Sequence, residues 1–301
     1  MTPSRPNRRT FLKSVALGAA TLALDSRARA DAGRKRAIKK SLKFGMIGEG
    51  ATVKEKFAVA RECGFDGVEM DSPSGLDLGE VLAAKAETGI EIPGVVDSVH
   101  WRDTLSDPDA SVRARGREAL VTALSDCRKL GGTTVLLVPA VVNAKVSYAD
   151  AYARSQEEIR KVLPAARESG VKIAIENVWN GFLLSPLEAA RYVDELGTEV
   201  VGWYFDVGNI VNFGWPRHWI EALGTRIVKL DVKEYSRKRR DAEGLWKGFE
   251  AEIGEGDCDW PDTMKALDAV SYSGWASAEV AGGGRERLAD VAARMDRVLS
   301  S

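Results

Sequence analysis

The sequence predicts a single α/β domain, a (β/α)8 TIM barrel, on three observations. Between residues 42 and 299, eight short apolar runs alternate with eight longer stretches of amphipathic, helical periodicity. Helical stretches repeatedly close on a glycine (Gly64, Gly89, Gly131, Gly170, Gly197), so each crossover returns by a short loop. Four consecutive apolar runs each deliver one acid at the carboxyl end: Glu176, Asp206, Asp231 and Glu279. Strands alternating with helices pair in parallel, and eight of them imply closure into a barrel.

The chain has 301 residues, and its start does not read as fold. Paired arginines in Asn7-Arg8-Arg9-Thr10-Phe11-Leu12-Lys13 precede a short apolar run over 15–24 and then Ala28-Arg29-Ala30. A charged n-region, an apolar h-region and an A-x-A site form an export signal. It resembles a twin-arginine (Tat) signal, which implies a periplasmic or otherwise exported protein. The apolar run is too short to span a bilayer, which takes about 20 residues, so no membrane anchor is expected after cleavage. Removing residues 1–30 leaves 271 of the 301, close to the ~250 of one such barrel.

The barrel is expected over 41–299. Strand one is expected over 42–47, followed by Gly48-Glu49-Gly50 and a helix closing at Cys63. Strand two covers 67–70 and leads to Glu69 and Asp71, with a helix over 78–88. Strand three covers 92–100 and ends in His100-Trp101. A long helix over 109–130 leads to strand four at 133–139, and another over 148–169 leads to strand five. Ser185-Pro186 opens the next helix; strand six ends in Asp206, and Pro216 opens a helix to 223. Strand seven covers 227–233. The longest connection, 235–260, carries a basic run from Arg237 to Arg240 and is expected as loop. Pro261 opens a helix to 270, strand eight holds Glu279, and a last helix ends the chain.

A net charge of −1 gives no reason to expect nucleic acid as a partner. Three cysteines without CxxC spacing argue against a disulfide framework and a zinc site, and Cys63 and Cys127 sit in helical patterns as small buried residues.

Successive strand residues face opposite sides, so Glu176, Asp206, Asp231 and Glu279 share their faces with Ala174, Tyr204, Lys229 and Ser277. Four such carboxylates facing the barrel axis repel one another unless a cation neutralises them. Oxygen-only ligands suit a hard divalent ion, Mn²⁺ or Mg²⁺. Such an ion holds the carbonyl and hydroxyl of a sugar and stabilises an enediolate, with Glu176 and Glu279 as general acid and base. At the mouth, His100 and Glu69 are expected to meet substrate hydroxyls, and Lys229 is expected to reach the substrate as well. Trp179 offers a sugar-facing ring among Trp101, Trp215, Trp246 and Trp260, and Arg237 offers a site for an anionic group.

The segments IENVWN (Glu176), FDVGN (Asp206), VKLDVKEY (Asp231) and SAEV (Glu279) resemble the metal-site signature of the xylose-isomerase-like sugar isomerase/epimerase superfamily. The likeness covers the whole mature chain, including GEGDCDW before strand eight. It implies a metal-dependent sugar isomerase or ketose 3-epimerase, with Glu176, Asp206, position 231 and Glu279 as ligands and the two glutamates moving the proton. Strand seven departs from the family: its histidine falls on Asp231, and a second common histidine falls on Lys229, which offsets the added charge or stands in for the metal. Only two histidines, His100 and His218, argue against the endonuclease IV branch with its trinuclear zinc. A keto-sugar lyase using the same enolate chemistry and a non-catalytic carbohydrate-binding barrel stay open as alternatives. The expected partner is a small sugar or keto-sugar, and assembly into a homo-oligomer stays open.

Overall fold

Eight parallel strands pair in chain order and close into a barrel in the computed structural model, which describes residues 36–301 apart from 198. They are β1 (Ile38–Lys43), β2 (Gly67–Ser72), β3 (Gly94–Asp97), β4 (Thr134–Leu137), β5 (Lys172–Glu176), β6 (Val201–Asp206), β7 (Ile227–Val232) and β8 (Gly274–Ala278). The barrel closes where β8 meets β1, from Ile38 beside Gly274 to Leu42 beside Ala278. The expected signal segment, residues 1–30, lies outside the described residues. Among those described, no helix is long and apolar enough to cross a membrane.

Local chemistry sets the helix ends. Thr52 and Glu55 form a reciprocal capping box at the start of Val53–Glu62. Asp77, Asp109, Ser147 and Ser185 each accept a backbone N–H at the start of later helices, and Pro186 takes the first helical position of its helix. Leu78–Thr88, Ala110–Leu130 and Tyr148–Ser169 end on Gly89, Gly131 and Gly170 in the left-handed conformation, which a side chain disfavours. The main core lies between the strands' outer faces and the helices, with Phe57, Leu120, Ile159, Tyr192 and Trp203 fully buried. Cys63, Cys127 and Cys258 are free and buried.

Three elements depart from the sequence expectation. β1 begins at Ile38 rather than residue 42, and Phe44–Met46 is a 3-10 turn. Its sequence, IKKSLK, is largely polar, so an apolar-run criterion starts the strand too late. β3 ends at Asp97, because the chain turns through Ser98–Trp101. The connection after β7 is not plain loop: it holds a helix, Arg237–Glu243, capped by Ser236, and a 3-10 segment, Leu245–Glu250.

Candidate active site

The four acids meet because their strands end side by side. In the β5–β6 pairing Glu176 sits beside Tyr204, and in the β6–β7 pairing Asp206 sits beside Asp231. Asp231 is level with Ser277 of β8; Glu279 follows one residue past the strand, its N–H donating to the Val232 carbonyl at 3.2 Å. One ligand atom from each acid lies within 4.8 Å of the other three. Asn177 pins this end of the sheet. Its side chain donates to the Asp206 carbonyl at 2.8 Å and accepts from the Trp203 indole at 2.9 Å, and its carbonyl accepts from Asn209 at 3.0 Å. Asp206 also caps the short helix Val207–Val211, its Oδ1 accepting from the Asn209 N–H at 2.8 Å.

Two lysines that the sequence reading did not single out as site residues stand against this cluster. Lys233, the residue after β7, places Nζ 3.0 Å from Asp206 Oδ2 and 3.4 Å from Glu279 Oε2. Lys43, at the end of β1, places Nζ 3.0 Å from Asp231 Oδ2 and 2.6 Å from Glu69 Oε2. The signal for Lys43 was an inward-phased lysine at a strand end, hidden by the late start assigned to β1.

Below the acids the interior is polar. Glu69 pairs with both Lys43 and Lys229, and the Tyr204 hydroxyl lies 2.8 Å from Glu69 Oε2 and 3.0 Å from Asp231 Oδ1. The Tyr204 ring lies under both ammonium groups, 4.8 Å from Lys43 Nζ and 5.2 Å from Lys229 Nζ. Ser277 and Ser41 extend the network, with their hydroxyls 2.8 Å apart. Such a network holds buried charge because each member has a partner.

Electrostatics follow from burial and these neighbours. The Glu176 carboxyl is pushed well above its usual range by burial, and next by the negative charge of Glu279. Asp231 is raised by burial against the opposing pull of Lys43, and Asp206 is raised by burial against that of Lys233. At Glu279 burial also works against ionisation, yet the ammonium groups of Lys233 and Lys43 hold its pKa below the ordinary value. Glu69 is desolvated too, and Lys229 and Lys43 nevertheless bring it down to about 2.

These residues fit a hard divalent cation. Asp206 Oδ2, Asp231 Oδ2 and Glu279 Oε2 are buried without a hydrogen bond; each faces a lysine at ion-pair distance without hydrogen-bond geometry. All four side chains offer oxygen, the donor that Mn²⁺ and Mg²⁺ prefer. Charge points the same way: if Glu69, Glu176, Asp206, Asp231 and Glu279 are all ionised against Lys43, Lys229 and Lys233, two negative charges remain among these eight groups, which a divalent cation would balance and without which the raised pKa values favour protonation.

Above the acids opens a cavity of about 760 Å³, lined by Lys43, Glu176, Lys233, Glu279, Asp71, Asp97, His100, Trp101, Trp179, Trp246 and Phe249 among others. His100 Nδ1 accepts the Val138 N–H at 3.3 Å. Burial, and then Lys43, lower its pKa to about 4, so the imidazole is neutral and its proton sits on Nε2. Asp97, which the sequence reading did not single out, is raised to about 7 by burial. The Trp179 indole donates to the Asn209 carbonyl at 2.9 Å, which fixes its ring.

Three residues expected to contact substrate lie elsewhere. Glu69 and Lys229 are held by each other beneath the cavity, two residues deeper than the acids in the case of Lys229. Arg237 donates to the carbonyls of Val211 at 3.1 Å and Gly214 at 2.7 Å and stacks on Trp215, so its guanidinium is turned into the loops. The loop over Gly254 and Cys258 instead folds onto Glu234, whose carboxylate accepts from both N–H groups and from the Trp260 indole at 2.9 Å.

Known proteins carry the same architecture. Residues 57–298 match the family model described as xylose isomerase-like TIM barrel. The putative L-ribulose-5-phosphate 3-epimerase SgbU of Escherichia coli K12 is 28% identical over 232 residues, covering 73% of this chain and 80% of that protein. The crystal structure of D-allulose 3-epimerase from Methylomonas sp. in complex with D-allulose superposes with a TM-score of 0.71 at 16% identity, covering 87% of this chain and 97% of that one. The 3-keto-D-glucoside 4-epimerase YcjR from E. coli does so with a TM-score of 0.71 at 16% identity, covering 88% and 100%. With a match over most of its length and the same closed barrel, the chain belongs to the xylose isomerase-like TIM barrel family.

Proposed function

We propose that this chain is a divalent-cation-dependent sugar epimerase or isomerase acting on a ketose or keto-sugar. The observation that carries the reading is the cluster of four carboxylates within 4.8 Å at the ends of β5 to β8, left two charges short of neutrality by its lysines when all four are ionised. The names of the curated relatives, ketose-phosphate 3-epimerases, point to the same reaction class. Glu176, Asp206, Asp231 and Glu279 would hold Mn²⁺ or Mg²⁺, which supplies Lewis acidity beside a substrate carbonyl. Glu176 and Glu279, on strands separated by β6 and β7, both face the cavity; one takes the proton from the carbon next to the carbonyl and the other returns it, on the opposite face for epimerisation. His100 offers Nε2–H, and Asp97 a carboxyl that burial leaves about half protonated near pH 7, to substrate hydroxyls. Lys233 holds Asp206 and Glu279 in place, and Lys43 does the same for Asp231. The residue 1–30 signature supports export through the Tat route.

The test is to incubate the protein with Mn²⁺ and a panel of ketoses in deuterated water. Enolisation places solvent deuterium on the substrate carbon, and chelator abolishes it. Tight sugar binding with no exchange for any ketose would leave a carbohydrate-binding barrel instead.

A further inference from the structure

The cavity is larger and more aromatic than a single sugar ring needs. Its volume of about 760 Å³ stands high in the roughly 300–1,000 Å³ range of pockets that enclose drug-sized ligands. The acids occupy only its floor. One wall is built from rings: Trp179 lies 4.9 Å from Trp246 and 4.8 Å from Phe249, centroid to centroid. Trp246 is 67% exposed, and Trp101, on the loop after β3, is 52% exposed and lines the same cavity. Large rings left open to water at the mouth of a cavity mark a contact surface.

The wall is held in shape before anything binds. The Tyr235 hydroxyl donates to the Leu245 carbonyl at 2.8 Å, at the start of the segment that carries Trp246 and Phe249. Gly248 packs flat on the Tyr235 ring, where a Cβ would come within 2.5 Å of ring carbons. The Trp179 ring is fixed through its indole N–H. A rigid aromatic face loses little entropy on binding, and such faces suit the C–H surfaces of a pyranose.

Among the described residues, the cavity presents no free cation to a phosphate: the lysines that line it, Lys43 and Lys233, are both held by carboxylates, and Arg237 is turned away. A phosphate recognised by fixed cations needs free Arg or Lys donors.

We infer that the substrate is an unphosphorylated disaccharide or larger glycoside: its ketose or keto-sugar ring sits over the four acids, and a second sugar ring stacks on the wall of Trp179, Trp246 and Phe249. The inference rests on the proposed function for the first ring and adds the second site. Calorimetry on the Mn²⁺-loaded protein with D-fructose, the 4-linked ketose disaccharide lactulose and the 6-linked palatinose tests it. At least one disaccharide is expected to bind about tenfold or more tighter than fructose. Trp246→Ala is expected to bring that ratio below about threefold, and Trp246→Phe to keep most of it. Equal affinities for all three sugars, or a ratio that Trp246→Ala leaves unchanged, overturn the second site. Deuterium exchange run in parallel separates the two readings: exchange without a size preference removes only the second site. A size preference without exchange removes only the catalytic reading.

Discussion

Replacing Lys43 by methionine removes the ammonium that stands between Glu69 and Asp231 while keeping most of the side chain's volume. Its Nζ lies 2.6 Å from Glu69 and 3.0 Å from Asp231. At an effective dielectric of about 20, the two contacts are gross attractions of about 5.5–6.5 kcal/mol each, and returning the lysine to water offsets several kcal/mol of the sum. Breaking a buried pair typically costs about 3–5 kcal/mol. Lys229 still neutralises Glu69, which places the expected loss near the lower end, about 3 kcal/mol, with Asp231 the uncompensated group. For a barrel of this size that is a fall of roughly 6–12 °C in the unfolding midpoint. Differential scanning calorimetry in chelator measures it. The cluster of the variant is also one charge more negative, so added Mn²⁺ should raise its midpoint by more than it raises that of the unaltered protein. A Lys43→Met protein that unfolds within about 2 °C of the parent in chelator, or gains no more from Mn²⁺, would refute the role given to this lysine.

Glu176→Gln and Glu279→Gln should still bind sugar but lose solvent exchange by about 10²-fold or more, read by deuterium incorporation. Retained exchange in either variant would take that residue out of proton transfer. Asp206→Asn should weaken Mn²⁺ binding in a titration, and excess Mn²⁺ should restore part of the activity. Asp231→His should keep or raise Mn²⁺ affinity, since imidazole ligates this ion, while Asp231→Ala should lower it; an Asp231→Ala protein with unchanged affinity would put position 231 outside the ligand set. His100 is neutral down to about pH 4 in the folded chain, whereas the unfolded chain protonates near 6.5, so it costs stability progressively as pH falls from 6.5 to 4. His100→Gln should flatten that fall by up to roughly 3 kcal/mol in urea titrations, and parallel pH profiles for the two proteins would contradict the assignment.

The sequence by itself determined the parallel barrel, because strand and helix are local periodicities and their alternation leaves few topologies. It also determined which face Glu176, Asp206, Asp231 and Glu279 present, since side chains alternate strictly along a strand. Phase, however, says nothing about depth along the barrel axis or about the partner across it. Glu69 and Lys229 share the inward phase, yet they lie beneath the floor and neutralise each other, so neither reaches the cavity. Lys43 stands 188 residues before Asp231 in the chain and touches it only because β1 lies next to β8 when the barrel closes. Arg237 has the chemistry to hold an anion, but the nearby carbonyls of Val211 and Gly214 take its donors. Periodicity names the face of the strand, whereas closure of the sheet chooses which charges meet on it.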